Sequence, residues 1–290
     1  MTAEPHAQAS PSYTKTILFL SLTVWLVVMN TTMFNVALPN VLKDFSLAPS
    51  EGAWIVSGYS IVLAICTITY TRLADYIPIR RLLILGISIF GLASFVGFFA
   101  HSFAWLLLSR LFQAAGDAAI PGLSMVFAER FVPMARRGRA LAMIASASSL
   151  GFGLGPVVGG VITDYLSWNY LFLITLCVLG MIPVLYRFLP DETTRKGYFD
   201  VWGGLLTGVG ITFFLLFIST FHWYYFAGAV VFFGGLWIRI HKIELPFIQP
   251  SLIRDKGYRQ ILYMSFLGFA THFAILIVMP LMLQHVFGKN

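Results

Sequence analysis

Apolar residues fill nine long blocks of this chain, separated by short polar stretches. A window of about 19 residues places the blocks at Thr16–Leu38, Gly52–Tyr70, Leu82–Ala100, Trp105–Phe127, Ala140–Ile162, Tyr170–Leu189, Trp202–Thr220, Trp223–Ile240 and Gln260–Leu283. Each holds about 18–24 residues, enough for a helix rising 1.5 Å per residue to cross a ~30 Å hydrocarbon layer. The pattern therefore predicts nine membrane-spanning helices. The tightest break is Phe221-His222-Trp223, between the seventh and eighth blocks.

Composition supports lipid as the solvent. Of 290 residues, 58% are hydrophobic and 11% charged, and the mean hydropathy is +0.83. A soluble domain carries about 25% charged residues, and no single aqueous core could hide this much apolar surface. Cys66 and Cys177 lie inside apolar blocks, which suits buried thiols rather than a disulfide or a metal site. The first block is preceded by Lys15, as a secretion signal would be. It is long, lacks a small-residue cleavage site and carries Asn30, Thr31, Thr32 and Asn35, so it reads as a retained helix.

The formal charge of +7 would suggest nucleic acid in a soluble protein. Here it is explained by topology. With the amino terminus inside, sixteen of the 19 Lys and Arg fall in cytoplasmic segments. Only Lys43 and Lys289 fall outside, and Arg110 lies within a span. This bias sets the expected orientation. Trp54, Trp105, Trp168 and Trp223 sit near the outer ends, where interfacial aromatics belong. Residues 1–14 read as a disordered cytoplasmic tail.

Four stretches carry candidate chemistry. After the second span comes Leu73-Ala74-Asp75, followed by Arg80-Arg81. This is either an ordinary basic loop or a conformational latch in which Asp75 pairs with a neighbouring helix in one state and releases it in another. Span four carries Arg110, Gln113 and Asp117 at i, i+3 and i+7, hence on one helical face. A charge at mid-bilayer costs roughly 2.5–3.5 kcal/mol or more, so the stripe is either a buried ion pair or the wall of an aqueous cavity. In span five Gly151, Gly155 and Gly159 recur every four residues, with Pro156 and Gly160 between and beside them. That bare face permits close helix packing, and the proline favours a bend. Span one ends Asn30-Thr31-Thr32-Met33-Phe34-Asn35-Val36-Ala37-Leu38-Pro39.

Together these stretches resemble the major facilitator superfamily. Leu73, Ala74, Asp75, Arg80 and Arg81 fit its signature loop, although Thr71 and Pro78 stand where glycines are usual. Arg110 and Gln113 resemble the fourth-helix Arg-x-x-Gln-Gly motif, with Ala114 replacing the glycine. The Gly151–Gly160 run resembles the antiporter motif that marks exporters. The end of span one, Trp54 and Tyr59 in span two, and Phe199-Asp200 with Gly203 before span seven look like the fourteen-helix drug:proton antiporters, closest to their tetracycline-efflux branch. Asn30 stands where the motif of the fourteen-helix family has an acid, so no carboxylate there can carry a proton. Asp117 stands where small residues are usual.

The resemblance implies an all-α membrane protein of the major facilitator fold. Residues 15–190 would form the amino-terminal six-helix half, 191–259 two linker helices with their loops, and 260–290 the first helix of a second half, truncated at its carboxyl end. It also implies proton-coupled efflux of hydrophobic drugs, tetracycline-like or multidrug, from the cell membrane. Asn30, Asn35, Tyr59, Arg110, Gln113 and Asp117 would form the proton and substrate pathway. The expected partners are a small hydrophobic drug, protons and the lipid bilayer, with no nucleic acid, cofactor or metal. A second chain would have to supply any missing half. The competing reading is a non-transporting membrane protein or partner subunit. No Walker A loop, His-Glu-x-x-His or Gly-x-Ser-x-Gly occurs, so no enzymatic chemistry is expected.

Overall fold

The computed structural model describes residues 11–192, 199–243, 246–248 and 255–287. Among these residues nine helices follow one another: α1 (Pro11–Asp44), α2 (Pro49–Leu73), α3 (Ile79–Phe98), α4 (Phe103–Phe131), α5 (Met134–Tyr165), α6 (Tyr170–Phe188), α7 (Val201–Thr220), α8 (Trp223–Ile240) and α9 (Lys256–Phe287). The first eight are long and apolar enough to cross a membrane, and α9 has 32 residues. The nine apolar blocks thus correspond one to one with helices. The helices overrun the blocks at several ends, because polar residues at a membrane surface can stay helical. Thus α1 starts at Pro11, inside the stretch read as a tail, while residues 1–10 lie outside the described residues.

Bare glycine faces set how closely the helices approach. A Cβ on Gly151 would come 3.0 Å from the Trp25 carbonyl oxygen, one on Gly155 2.8 Å from that of Met29, and one on Gly159 2.7 Å from that of Met33. So α5 lies backbone to backbone on α1. Thr32 ties the seam by donating its hydroxyl to the Gly151 carbonyl at 3.3 Å. Gly160 faces open space and has no part in the seam. Likewise α4 meets α3 through Gly116, where a Cβ would run into the Phe90 nitrogen. Lipid gives no hydrophobic drive for two helices to associate, so this close van der Waals contact is what holds the bundle.

Prolines interrupt the helices at defined places. Pro121 has no N–H to return to the Asp117 carbonyl, and α4 breaks at Ala118, directly after Asp117. Pro183 does the same to Leu179 in α6, where Cys177–Gly180 form a turn of 3-10 helix. Pro156 lies within α5, which runs unbroken from Met134 to Tyr165.

Helices α7 and α8 form a hairpin. Phe221 ends α7 in the left-handed region (φ 53°) and His222 is extended, so the turn between them is as short as the sequence indicates. Phe233 covers Gly210, and Phe213 covers Gly228. The pair reaches the first six helices through Gly208 of α7, which faces Ile65 of α2. The described side chains of α9 are exposed. Asp255 caps this helix by accepting from the Tyr258 N–H at 2.7 Å.

Candidate functional site

Five helices border a cavity of about 850 Å³. Its wall includes Thr31, Thr32 and Asn35 of α1, Tyr59 and Ser60 of α2, Arg110, Asp117 and Pro121 of α4, and Ser148, Ser149 and Phe152 of α5. Ser265, Gly268 and Phe269 of α9 border it as well. Its size suits a drug-sized molecule.

The polar face of α4 is turned into the bundle. Arg110 is 2% exposed, Gln113 0% and Asp117 2%, so none of the three meets the lipid side. Arg110 and Asp117 are nevertheless not an ion pair among those described. Their backbones are roughly 10 Å apart along the helix axis, and the Tyr59 side chain stands between their charged groups. Instead, the Arg110 guanidinium lies between two aromatic rings, 4.2 Å from the centre of Phe34 and 4.1 Å from that of Tyr59. Both rings present their negative faces to the cation. Its Nη1 donates to Gln113 Oε1 at 2.8 Å and to Asn30 Oδ1 at 3.4 Å. Gln113 in turn donates to Ser94 Oγ at 2.7 Å, and Thr175 of α6 donates to the same oxygen at 2.8 Å. Arg110 is thus anchored from α1, α3 and α6 through neutral groups.

Asp117 has a separate set of partners. The Tyr59 hydroxyl donates to its Oδ2 at 2.6 Å, and the Thr31 hydroxyl reaches the same atom at 3.4 Å. Both donors are neutral, and the charge nearest the acid among the described residues is Arg110, across the Tyr59 ring. Tyr59 joins the two ionisable residues, with its ring on one and its hydroxyl on the other.

The residues expected along one pathway divide into two groups. Asn35, Tyr59, Arg110 and Asp117 line the cavity. Asn30 (1% exposed) and Gln113 are buried behind Arg110 and hold it. Sequence reasoning missed Phe34, since one aromatic in an apolar block carries no signal of its own. It also missed Pro121, four residues beyond Asp117, whose spacing is readable.

A second cluster lies at the end of the bundle that carries Asp75. Asp75 pairs with Arg130 at the end of α4 at 2.7 Å, and Arg130 also donates to the Ala74 carbonyl at 2.7 Å and pairs with Glu192 at 2.9 Å. Arg80 pairs with Asp191 at 2.5 Å and donates to the Leu189 carbonyl. Asp75 therefore reaches a neighbouring helix, through a basic residue that the loop motif does not contain. Arg81 is exposed and enters no ion pair among those described. Thr71, where a glycine is usual, fits because α4 offers Gly122 opposite, where a Cβ would lie 3.1 Å from the threonine methyl. Pro78 ends the loop as the residue capping α3.

A polytopic helical bundle around a drug-sized, acid-bearing cavity is the architecture of membrane transporters. The particular family follows from comparison. The family model of the Major Facilitator Superfamily matches residues 20–290, and the chain belongs to that superfamily. It is 31% identical to the cephamycin export protein CmcT of Amycolatopsis lactamdurans over 283 residues, covering 92% of this chain and 58% of that protein. It is 32% identical to the lincomycin resistance protein of Streptomyces lincolnensis over 209 residues, covering 70% of this chain and 43% of that protein. The chain thus spans about half the length of the curated relatives it matches. Among solved structures, a bacterial homologue of the human lysosomal transporter Spinster, inward-facing and occupied, superposes with a TM-score of 0.56 over 73% of this chain and 54% of that one. At 18% identity this shows the shared fold alone.

Proposed function

We propose that this chain acts in proton-coupled efflux of hydrophobic drugs, tetracycline-like or multidrug, across the cell membrane. One observation carries the reading. Asp117 is the one acid in the middle of a span among the described residues, and it sits in the wall of the central cavity. An intramembrane carboxylate that faces a cavity and has only neutral donors can exchange a proton without breaking a salt bridge. The relatives that export cephamycin and confer lincomycin resistance favour export of antibiotics over import of nutrients.

In this reading the amino terminus and the end carrying Asp75 face the cytoplasm, because the Lys and Arg bias demands it. Residues 15–190 then serve as the first transporter half, 191–259 as the linker pair, and 260–290 as the start of the second. The Asp75–Arg130 and Arg80–Asp191 pairs latch that end shut in one conformation and part in the other.

Expression from the native gene in a drug-susceptible bacterium should raise the inhibitory concentration of at least one amphipathic antibiotic several-fold. A protonophore should restore drug accumulation. Accumulation that ignores the protonophore would argue against proton coupling. For topology, with Cys66 and Cys177 replaced, an impermeant thiol reagent applied outside should label Ser102→Cys and miss Lys242→Cys. The reverse pattern would invert the orientation.

A further inference from the structure

The cavity wall holds one cation and one anion that do not neutralise each other. The guanidinium of Arg110 is clamped on both faces by Phe34 and Tyr59, so its remaining hydrogen bonds must lie in its plane. Nη1 is used by Gln113 and Asn30. The other edge, Nε with Nη2, meets no acceptor among the described residues, and Nε is buried without a partner. The neighbouring Asn30 Nδ2 is likewise a buried donor with nothing to bond. An unmet charged donor in a low-dielectric interior is costly, and the Nε–Nη2 edge of an arginine matches the two oxygens of a carboxylate. On the anionic side, both described donors to Asp117 converge on Oδ2, which leaves Oδ1 for a further partner.

We infer that the cavity takes a zwitterionic amphiphile, its carboxylate on the free edge of Arg110 and its ammonium group on Asp117. The inference rests on the reading of this cavity as the transport site. The Tyr59 side chain stands between the two charges, its ring on Arg110 and its hydroxyl on Asp117, so the ligand that spans them is a molecule whose amine and carboxylate are held apart by a rigid apolar body. The aliphatic and aromatic part of the wall, Val28, Val56, Leu63, Met125 and Phe152, receives that body. A purely cationic drug satisfies Asp117 and leaves Arg110 unmet, and a purely anionic one does the opposite.

Equilibrium binding separates this proposal from transport. The protein, expressed from its native gene and purified in lipid nanodiscs, is titrated with three probes: the zwitterionic β-lactam cephalexin, its methyl ester and its N-acetyl derivative. Cephalexin should bind at least tenfold more tightly than either derivative. Arg110→Lys should lower cephalexin affinity to that of the ester while leaving the ester within about twofold. Asp117→Asn should lower it to that of the N-acetyl compound. Equal affinities for the three probes, no binding of cephalexin, or an Arg110→Lys variant that weakens all three alike would overturn the inference. The last outcome would make Arg110 a structural residue. A failure of proton coupling would appear as lost gradient-driven flux with this binding order intact.

Discussion

Asp200 caps α7 with a carboxylate whose side chain is 3% exposed. Burial alone would raise its pKa. The Gly203 N–H (2.9 Å), Arg239 (2.9 Å) and the Phe247 N–H (3.2 Å) all bond to the charged form, and the balance holds it below the ordinary carboxylate range. A carboxyl depressed in the folded state contributes stability above its unfolded value of about 3.9 and loses it as pH falls through the folded value. The clamp between α7, α8 and residue 247 is therefore intact near neutrality and fails only in strong acid. Asp200→Ala should leave Arg239 without a partner and cost roughly 2–3 kcal/mol locally. Trypsin cleavage at Lys242 should then quicken more than tenfold at neutral pH. Unchanged cleavage would show that the clamp holds nothing. The sequence marked Asp200 only as a motif residue. Its partner Arg239, 39 positions on, was readable as a basic residue at a helix end but not as this contact.

Helices were the most legible level. Their number, order and type followed from nine apolar blocks, because lipid forces every backbone polar group into intrahelical bonds. The glycine repeat of α5 was legible as a packing face, but its partner was not. Only the structure shows that α1 supplies the other wall, and that Gly151, Gly155 and Gly159 lie in the seam while Gly153 and Gly160 face open space. This difference gives a test. Gly155→Ala would set a Cβ against the Thr32 hydroxyl and the Met29 carbonyl, an overpacking cost of about 1–3 kcal/mol. Gly153→Ala meets nothing within 4 Å and gains helix propensity of roughly 1 kcal/mol. In detergent, the midpoint of thermal unfolding should fall for Gly155→Ala and hold or rise for Gly153→Ala. Equal shifts would contradict the seam. The stripe on α4 was legible for a similar reason, since spacing alone puts Arg110, Gln113 and Asp117 on one face. What spacing could not tell was that Arg110 turns to Phe34 and Tyr59 while Asp117 turns to Tyr59 and Thr31. That choice is made by side chains from α1 and α2.

At the scale of the whole molecule, two polar centres occupy different levels of one bundle. The cavity holds Asp117 between neutral donors, and the Asp75–Arg130–Glu192 cluster ties α2, α4 and the segment after α6 at one end. Surface pairs of this kind are worth little singly, so under the proposed function the cluster chooses between conformations rather than adding stability. Arg130→Ala, which removes the pairs to Asp75 and Glu192 together, should therefore lower drug resistance several-fold while leaving the midpoint of thermal unfolding nearly unchanged. Resistance at the wild-type level would show that the cluster is not the latch. The central claim, that Asp117 couples proton movement to drug export, has a more direct test. The protein, expressed from its native gene, is reconstituted into sealed vesicles with an imposed pH gradient, and uptake of an amphipathic drug is followed for the wild type and for Asp117→Asn. Asparagine keeps the hydrogen bond from Tyr59 and the shape of the wall, so folding should persist. The account predicts gradient-driven uptake by the wild type and its loss, by at least tenfold, in the variant. Uptake by Asp117→Asn at the wild-type rate and with the same dependence on the gradient would contradict it.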